Sequence, residues 1–313
     1  MLTLIAPAKI NLYLEIVGDR PDGFHELVMI LQSIALSDRL TFDFSDSASH
    51  QLVCDHAELG DDPTQNLVYK AATLMAKVFP TAFSKYGGVT VHLEKNIPIA
   101  AGLAGGSADA AATLVGINLL WHLGLTQPEL EELAAQLGSD IPFCVAGGTA
   151  IATGRGEKLD FIKNPPSLWV VLAKHRKLAV STPWAYKTYR QQFGETYLND
   201  PAQVRSRAAR LHSGPLVNAI TKGDRAELAA HLYNDLEKVV LPAHAQVQQL
   251  RDAFGTSGAI ATMMSGSGPT VFGLCESELQ AQEVKRVVAA QMHDPNLGFW
   301  ITRLTSQGIH LAL

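Results

Sequence analysis

The sequence predicts an α+β protein of two domains, and three observations carry that expectation. Its 313 residues are long for a single hydrophobic core. In the first half, a short alternating run at Val89, Val91 and Leu93 leads through a glycine-rich segment into a run of helix formers. In the second half the pattern reads strand (259–263), loop (265–270), strand (271–275), helix (278–292) and a final strand, the order of an antiparallel sheet with segregated helices. Between the halves, Lys163-Asn-Pro-Pro166 reads as a crossing point, which places the expected domains at residues 1–165 and 166–313.

Residues 10–16 alternate, so Ile10, Leu12, Leu14 and Ile16 are expected on one strand face and Lys9, Asn11, Tyr13 and Glu15 on the other. Lys9 and Asn11 then point the same way, about 7 Å apart by strand rise. The turn Gly18-Asp-Arg-Pro-Asp-Gly23 precedes Phe24-His25-Glu26. Leu40, Phe42 and Phe44 alternate as another strand, the polar stretch from Cys54 to Thr64 reads as a loop, and Asn66 to Val78 as a helix. The helix after the glycines puts Ala110, Leu114, Ile117 and Trp121 on one stripe, with Gly124 as its expected stop. Thr126-Gln-Pro-Glu129 is a capping box with proline in the first turn. Leu130, Leu133, Ala134 and Leu137 form that helix's buried face; Gly138 ends it, and Ser139-Asp140-Ile141-Pro142 follows directly. Beyond a glycine-punctuated stretch (147–156) and an apolar strand (168–173), the pattern is helix-rich to Phe254. Within it, Thr182 is the expected cap of a helix with Pro183 at its first position.

The glycine segment Ile97-Pro-Ile-Ala-Ala-Gly-Leu-Ala-Gly-Gly-Ser-Ala-Asp-Ala-Ala111 is the most informative stretch. Gly102, Gly105 and Gly106 permit positive φ and close approach of the backbone to a ligand. Ser107 is a candidate N-cap. Free N–H groups and the positive helix end together make a phosphate site. The loop is neither a Walker A sequence nor a dinucleotide fingerprint, and a plain strand–helix connection is the competing explanation. A second small-residue loop, Ser265-Gly-Ser-Gly-Pro-Thr270, offers backbone N–H groups to phosphates or is simply a hairpin turn.

Lys9 is a lone lysine on a strand, where an exposed side chain is the ordinary expectation; the functional alternative is a charge near a reacting oxygen. Asp140 is either an N-cap or a general base for a hydroxyl. Cys54, Asp55, His56, Glu58, Asp61 and Asp62 lack any spacing that organises a metal site. No Gly-x-Ser-x-Gly elbow stands between a strand and a helix, so a serine hydrolase is unsupported.

Composition narrows the class. Hydrophobic residues make up 47 % and charged residues 18 %, as in a compact soluble enzyme. The net charge of −5 argues against nucleic-acid or anionic-membrane partners. Cys54, Cys144 and Cys275 are few and far apart, which predicts a reducing, cytoplasmic setting. No signal peptide or membrane-length apolar run is present, and nothing in the pattern specifies an oligomeric state.

The segment from Pro98 to Ala111 resembles the central phosphate loop of the GHMP kinases, the small-molecule kinases of galactose, homoserine, mevalonate and phosphomevalonate. Pro7-Ala-Lys-Ile-Asn11 resembles their first motif and Met264-Ser-Gly-Ser-Gly-Pro-Thr270 their third, in the same order along the chain. Ala6-Pro-Ala-Lys-Ile-Asn-Leu-Tyr-Leu14, Arg20-Pro-Asp-Gly-Phe-His-Glu-Leu27, Gly138-Ser-Asp-Ile-Pro-Phe143 and Asn234-Asp-Leu-Glu237 look like one branch, whose substrate is a methylerythritol carrying cytidine diphosphate. The resemblance implies an N-terminal domain like domain 2 of ribosomal protein S5 and a ferredoxin-like C-terminal domain. It also implies ATP-dependent phosphorylation of that substrate's 2-hydroxyl, with Mg²⁺, in the non-mevalonate isoprenoid pathway. The alternatives are another GHMP kinase, of homoserine or mevalonate type, and an S5-like RNA-binding module, which the acidic charge disfavours.

By the same resemblance, Pro98, Ala101, Gly102, Leu103, Ala104, Gly105, Gly106 and Ser107 hold ATP, with Asn66 and Lys95 beside the adenosine and the Ser107 hydroxyl near the metal. Asp140 takes the substrate proton; Lys9 keeps it ionised and stabilises the alkoxide, and Asn11 meets the same end of the substrate. Phe24 and Tyr186 sandwich the cytosine, His25 reads its polar edge and Thr182 touches the substrate. For Tyr186, core packing is the competing explanation. Three features depart from the family pattern. Ala104 replaces a common glycine, Phe24 a frequent tyrosine, and the tail from Gln291 is longer than in compact members.

Overall fold

The computed structural model describes residues 1–45, 49–54, 62–163 and 167–312. Most of the Cys54–Asp62 segment and the prolines of the expected crossing point lie outside these residues. The chain runs β1 (Leu2–Asp19), β2 (His25–Phe44), β3 (Gln51–Cys54), α1 (Leu67–Val78), α2 (Pro80–Tyr86), β4 (Val89–Glu94), α3 (Gly105–Leu120), α4 (Gln127–Ala135), α5 (Ile141–Ala146), β5 (Thr149–Gly154) and β6 (Lys158–Phe161). It continues through β7 (Trp169–His175), α6 (Thr182–Phe193), α7 (Pro201–His212), α8 (Pro215–Lys222), α9 (Arg225–Ala230), β8 (Tyr233–Asn234), α10 (Glu237–Ala243) and α11 (Ala245–Gly255). It closes with β9 (Ala261–Met264), β10 (Val271–Cys275), α12 (Glu278–Met292), β11 (Leu297–Arg303) and β12 (His310–Leu311).

The long β1–β2 hairpin is the spine of the first sheet. The far half of β2 pairs with β4, and the near half, Leu27–Gln32, pairs with β5. β1 receives β12 on its outer edge and β8 in parallel beyond Asn11. The second sheet is antiparallel in the order β11-β7-β10-β9. With β7 counted first, this is the 4-1-3-2 order of a ferredoxin-like domain, as the resemblance implies. α12 begins and ends where the sequence predicts, at Glu278 and Met292: Ser277 accepts a hydrogen bond from Gln280 N and caps its start, and left-handed His293 closes its end.

One reading of β1 needs correction. Ile10 and Leu12 pack into the core under α1 and α3, whereas Leu14 and Ile16 pack into a second core against the other sheet. A bulge between Asn11 and Tyr13 inserts Leu12 as an extra residue opposite Leu31 and Ile30, and so reverses the facing of all that follows. Lys9, Asn11 and Leu14 consequently line one cavity.

Three helix ends also differ from expectation. Ser107 does not cap α3: Ala104, left-handed at φ 56°, occupies the N-cap and Ser107 falls inside the first turn. The helix stops at Leu120, ahead of Gly124, because Asn118 Oδ1 accepts from Leu125 N at 2.9 Å and its carbonyl from Leu123 N at 3.0 Å, turning the chain early. Ser181 caps α6, accepting from Trp184 N, which leaves Thr182 and Pro183 as its first two residues. The α4 box does form on its glutamate side, where Glu129 accepts from Thr126 N at 2.7 Å.

No helix among the described residues is long and apolar enough to cross a membrane. All three cysteines are free thiols.

Candidate active site

A cavity of about 900 Å³ opens between the glycine segment, the near half of the hairpin and α6. Its floor is Lys9, which is 5 % exposed despite being a lysine. Lys9 Nζ donates to Asn11 Oδ1 at 2.8 Å and faces Asp140 Oδ2 at 3.3 Å. The same-face pairing of Lys9 and Asn11 thus follows from strand periodicity, since the bulge lies just beyond Asn11. Asp140 stands at the N-terminus of α5, but its carboxylate makes no capping bond. It is free to face the ammonium instead.

The glycine segment and the second small-residue loop touch each other. Ser265 Oγ donates to the Gly102 carbonyl at 3.0 Å, and a Cβ on Gly102 (φ 73°) would run into the Ser265 carbonyl. Lys9 N donates to the Leu103 carbonyl at 3.1 Å, tying the first strand to the same loop. Ser265–Thr270 is a hairpin connection, with Ser265 N donating to Thr270 O at 2.9 Å. It also lines the cavity through Gly266 and Ser267. The loop is thus a hairpin turn that stands at the cavity wall. Asn234 holds this loop: its Nδ2 donates to the carbonyls of Met264 and Gly266, each at 2.8 Å, and Glu237 accepts from Met264 N at 2.7 Å. Asp235 accepts from Ile16 N at 2.8 Å, so the Asn234–Glu237 motif pins the second half of the chain to β1.

At the mouth of α3, a Cβ on Gly106 would meet only Leu67, at 3.6 Å, and otherwise open space. This leaves the first N–H groups of the helix accessible, as an anion cradle requires. Beneath it, Lys95 lies between two buried carboxylates, Asp38 and Asp109. Burial opposes the charge on Lys95, but Asp109 and Asp38 outweigh it and hold the ammonium above its ordinary value. Burial pushes the Asp109 carboxyl well above the carboxylate range against the pull of Lys95, and Asp38 adds to the rise. Asp109 Oδ1 is buried without a partner.

At the other end of the cavity His25 stacks on Tyr186, centroids 5.2 Å apart, with Tyr197 edge-on at 5.9 Å. Burial lowers the His25 imidazole below its ordinary value, partly offset by Asp19 at 3.3 Å. Phe24 is 49 % exposed, and the Arg155 guanidinium lies 5.1 Å over its ring. Thr182 shares a 2.7 Å hydrogen bond with Ser267, which links this end to the second glycine loop.

Of the residues singled out from sequence, the cavity brings together Lys9, Asn11, Phe24, His25, Asn66, Lys95, Pro98, Ala101, Gly102, Ala104, Gly105, Gly106, Ser107, Asp140, Thr182 and Tyr186. Leu103 is not among them: its side chain is 1 % exposed in the core, and only its carbonyl serves the site, through Lys9 N. Asp109, Arg155, Lys187 and Arg190 also line the cavity and were missed. Asp109 is signalled by its place two residues after Ser107 on the same helical turn. Arg155, between Gly154 and Gly156, carries no sequence signal.

Comparison with known proteins matches residues 66–148 to the GHMP kinases N terminal domain and 216–294 to the GHMP kinases C terminal domain. A 4-diphosphocytidyl-2-C-methyl-D-erythritol kinase of Synechocystis sp. is 58 % identical over 309 residues, covering 99 % of this chain and 98 % of the relative. The Trichormus variabilis protein of the same name is 58 % identical over 309 residues, covering 98 % and 97 %. Among solved structures, a 4-(cytidine 5'-diphospho)-2C-methyl-D-erythritol kinase aligns with a TM-score of 0.73 at 30 % identity, covering 97 % of this chain and 99 % of that one. A homoserine kinase from Cytophaga hutchinsonii shares the fold, with a TM-score of 0.75 at 18 % identity over 99 % and 97 % of the two chains. Three ordered motifs, two matching domains and full-length relatives agree: the chain belongs to the GHMP kinases, and within them to the 4-diphosphocytidyl-2-C-methyl-D-erythritol kinases.

Proposed function

We propose that this protein transfers the γ-phosphoryl group of ATP to the 2-hydroxyl of 4-diphosphocytidyl-2-C-methyl-D-erythritol. The observation that carries the reading is the Lys9–Asp140 pair, 3.3 Å apart, in one cavity with an open helix N-terminus and a His25–Tyr186 stack. Phosphoryl transfer needs positioning and charge neutralisation more than covalent participation. Asp140 accepts the proton as the hydroxyl O–H bond breaks and the new O–P bond forms, with ADP leaving. Lys9, 3.3 Å from Asp140, faces the oxygen on which charge develops. Asn11, hydrogen-bonded to Lys9, fixes the direction of the ammonium.

Gly102, Ala104, Gly105, Gly106 and Ser107, with Pro98 and Ala101 beside them, hold the triphosphate. Asn66 and Lys95 border the adenosine. Among the described residues no group of carboxylates, histidines or cysteines forms a metal cage. That suits Mg²⁺, which takes one or two protein oxygens and completes its shell with phosphates and water. The Ser107 hydroxyl, two residues from the unpaired Asp109 Oδ1, fits this role. Bound there, the ion would neutralise charge on the transferring phosphoryl group.

Specificity comes from the aromatic end. Phe24 and Tyr186 clamp the cytosine, His25 reads its polar edge, and Thr182 contacts the substrate. The division at residues 1–165 and 166–313 separates the part with the phosphate loop from the part that supplies Tyr186. A cytoplasmic setting suits three free cysteines.

ADP release measured with a panel of alcohols tests the reading. The cytidylated methylerythritol should be turned over efficiently. Methylerythritol phosphate, mevalonate and homoserine should be poor substrates. Efficient use of mevalonate or homoserine would favour another GHMP activity.

A further inference from the structure

The chain beyond β11 leaves the second sheet and returns to the first. Thr305 N donates to the Ser33 carbonyl at 3.0 Å, and buried Gln32 donates to the carbonyls of Ser33 and Thr305 at 2.8 and 3.0 Å. Gln32 Oε1 in turn accepts from Thr149. Further on, His310 and Leu311 pair with Ile5 and Leu4. Between these anchors, Gly308 lies back to back with Ala146 and Gly147, at the C-terminal end of α5. A Cβ on Gly308 would stand 2.5 Å from Ala146 C, Ala146 O and Val145 O, all backbone atoms that cannot swing away.

We infer that residues 304–311 form a strap that sets the separation of Lys9 from Asp140, with Gly308 as its positioning residue. The inference rests on the reading of Lys9 and Asp140 as the pair at the reacting hydroxyl. Each anchor bears on one member of that pair. Ser33, which receives Thr305 N, is the cross-strand partner of Lys9. Ala146 and Gly147 end the helix that Asp140 begins. α5 spans Ile141–Ala146, about 9 Å at 1.5 Å per residue, and is short enough to move as a rod. Its far end is held by Gly308, so pressure there is delivered to Asp140. Ser33 N also donates to the Gly148 carbonyl at 2.8 Å, which closes the circuit between the two anchors.

Ordinary contact needs 3.4 Å or more, so a methyl group on Gly308 must open this junction by about 1 Å. A misplacement of about 1 Å far from the reacting atoms costs up to about 10² in rate. The site that binds ATP and cytosine is built from other elements and should be spared. That separates a positioning role from a merely structural one, which would lower the folded fraction and leave each folded molecule at full speed.

The test is single-turnover phosphoryl transfer, with equilibrium affinities for ATP and the cytidylated substrate measured alongside. Gly308→Ala should slow transfer per folded molecule by about 10- to 100-fold, with both affinities within about twofold of the parent. Deletion of Ile309–Leu313 removes the pairing with Leu4 and Ile5 and should act in the same direction. It also decides the matter if Gly308→Ala does not fold. Gln307→Ala, an exposed side chain on the same strap, should leave the rate unchanged. Parental speed in folded Gly308→Ala, or in the folded truncation where that variant is lost, overturns the inference. Equal loss of rate and both affinities overturns it too. Normal turnover by Asp140→Asn would instead refute the underlying reading of the pair.

Discussion

Lys9 and Asp140 are separable by their expected defects. Asp140→Asn keeps size and polarity but cannot take a proton, so kcat should fall by about 10²–10⁴ with ATP affinity retained. Lys9→Ala removes a charge aimed at the developing alkoxide, and kcat should drop about 10²–10³. An effect confined to the KM for ATP would place Lys9 on the nucleotide instead. Asp109 yields a different kind of prediction. Burial holds its carboxyl well above the usual range in the folded state. As pH rises past about 3.9, the unfolded chain releases this proton while the folded one keeps it. The folded state then binds more protons, and this group's contribution to stability falls with rising pH. Asp109→Asn cannot titrate, so its Tm relative to the parent's should rise as pH increases above about 4. A Tm difference constant across that range would show that Asp109 ionises normally.

At the scale of elements, the entry to α3 carries local strain. Ala104 is left-handed (φ 56°, ψ 30°) where most side chains avoid that region. Ala104→Gly should therefore stabilise the protein by about 0.5–1 kcal/mol, seen as a higher urea midpoint with an unchanged m-value. A lower midpoint would mean that the Ala104 methyl contributes more by packing than its backbone loses by strain. The same helix shows where sequence reading succeeds. Glycines announce backbone freedom whatever surrounds them, so the loop between β4 and α3 was legible. The capping box of α4 and the start of α12 rest on local side-chain chemistry and were legible too. The bulge at Leu12 was not, because an inserted residue leaves an apolar alternation looking intact on the page. Nor was the early stop of α3, which depends on Asn118 reaching over to Leu125 rather than on a residue type that ends helices.

At the scale of the whole molecule, the cavity runs from the glycine segment at one end to the His25–Tyr186 stack at the other. If the aromatic end recognises cytosine, Phe24→Ala and Tyr186→Ala should each weaken substrate binding by about tenfold, from stacking worth roughly 0.5–1.5 kcal/mol and the lost apolar contact. ATP affinity should barely move. Methylerythritol phosphate, which has no base to stack, should be handled equally poorly by parent and variants. Sequence order brought sixteen of the residues lining this cavity to notice. Arg155, Lys187 and Arg190 escaped because a cation at a cavity rim resembles any solvated surface charge until the fold surrounds it. The return of the tail was equally invisible, since a two-residue strand has no periodicity to detect. Yet that tail bears on how the protein is made. β1 is made long before His310 and Leu311, which cover its outer edge at Leu4 and Ile5. Until they emerge, that length of apolar strand has an open edge on which another nascent chain can add. The edge closes only once His310 and Leu311 have emerged, so crowded translation, rather than heat, is the circumstance in which this enzyme is most exposed to aggregation.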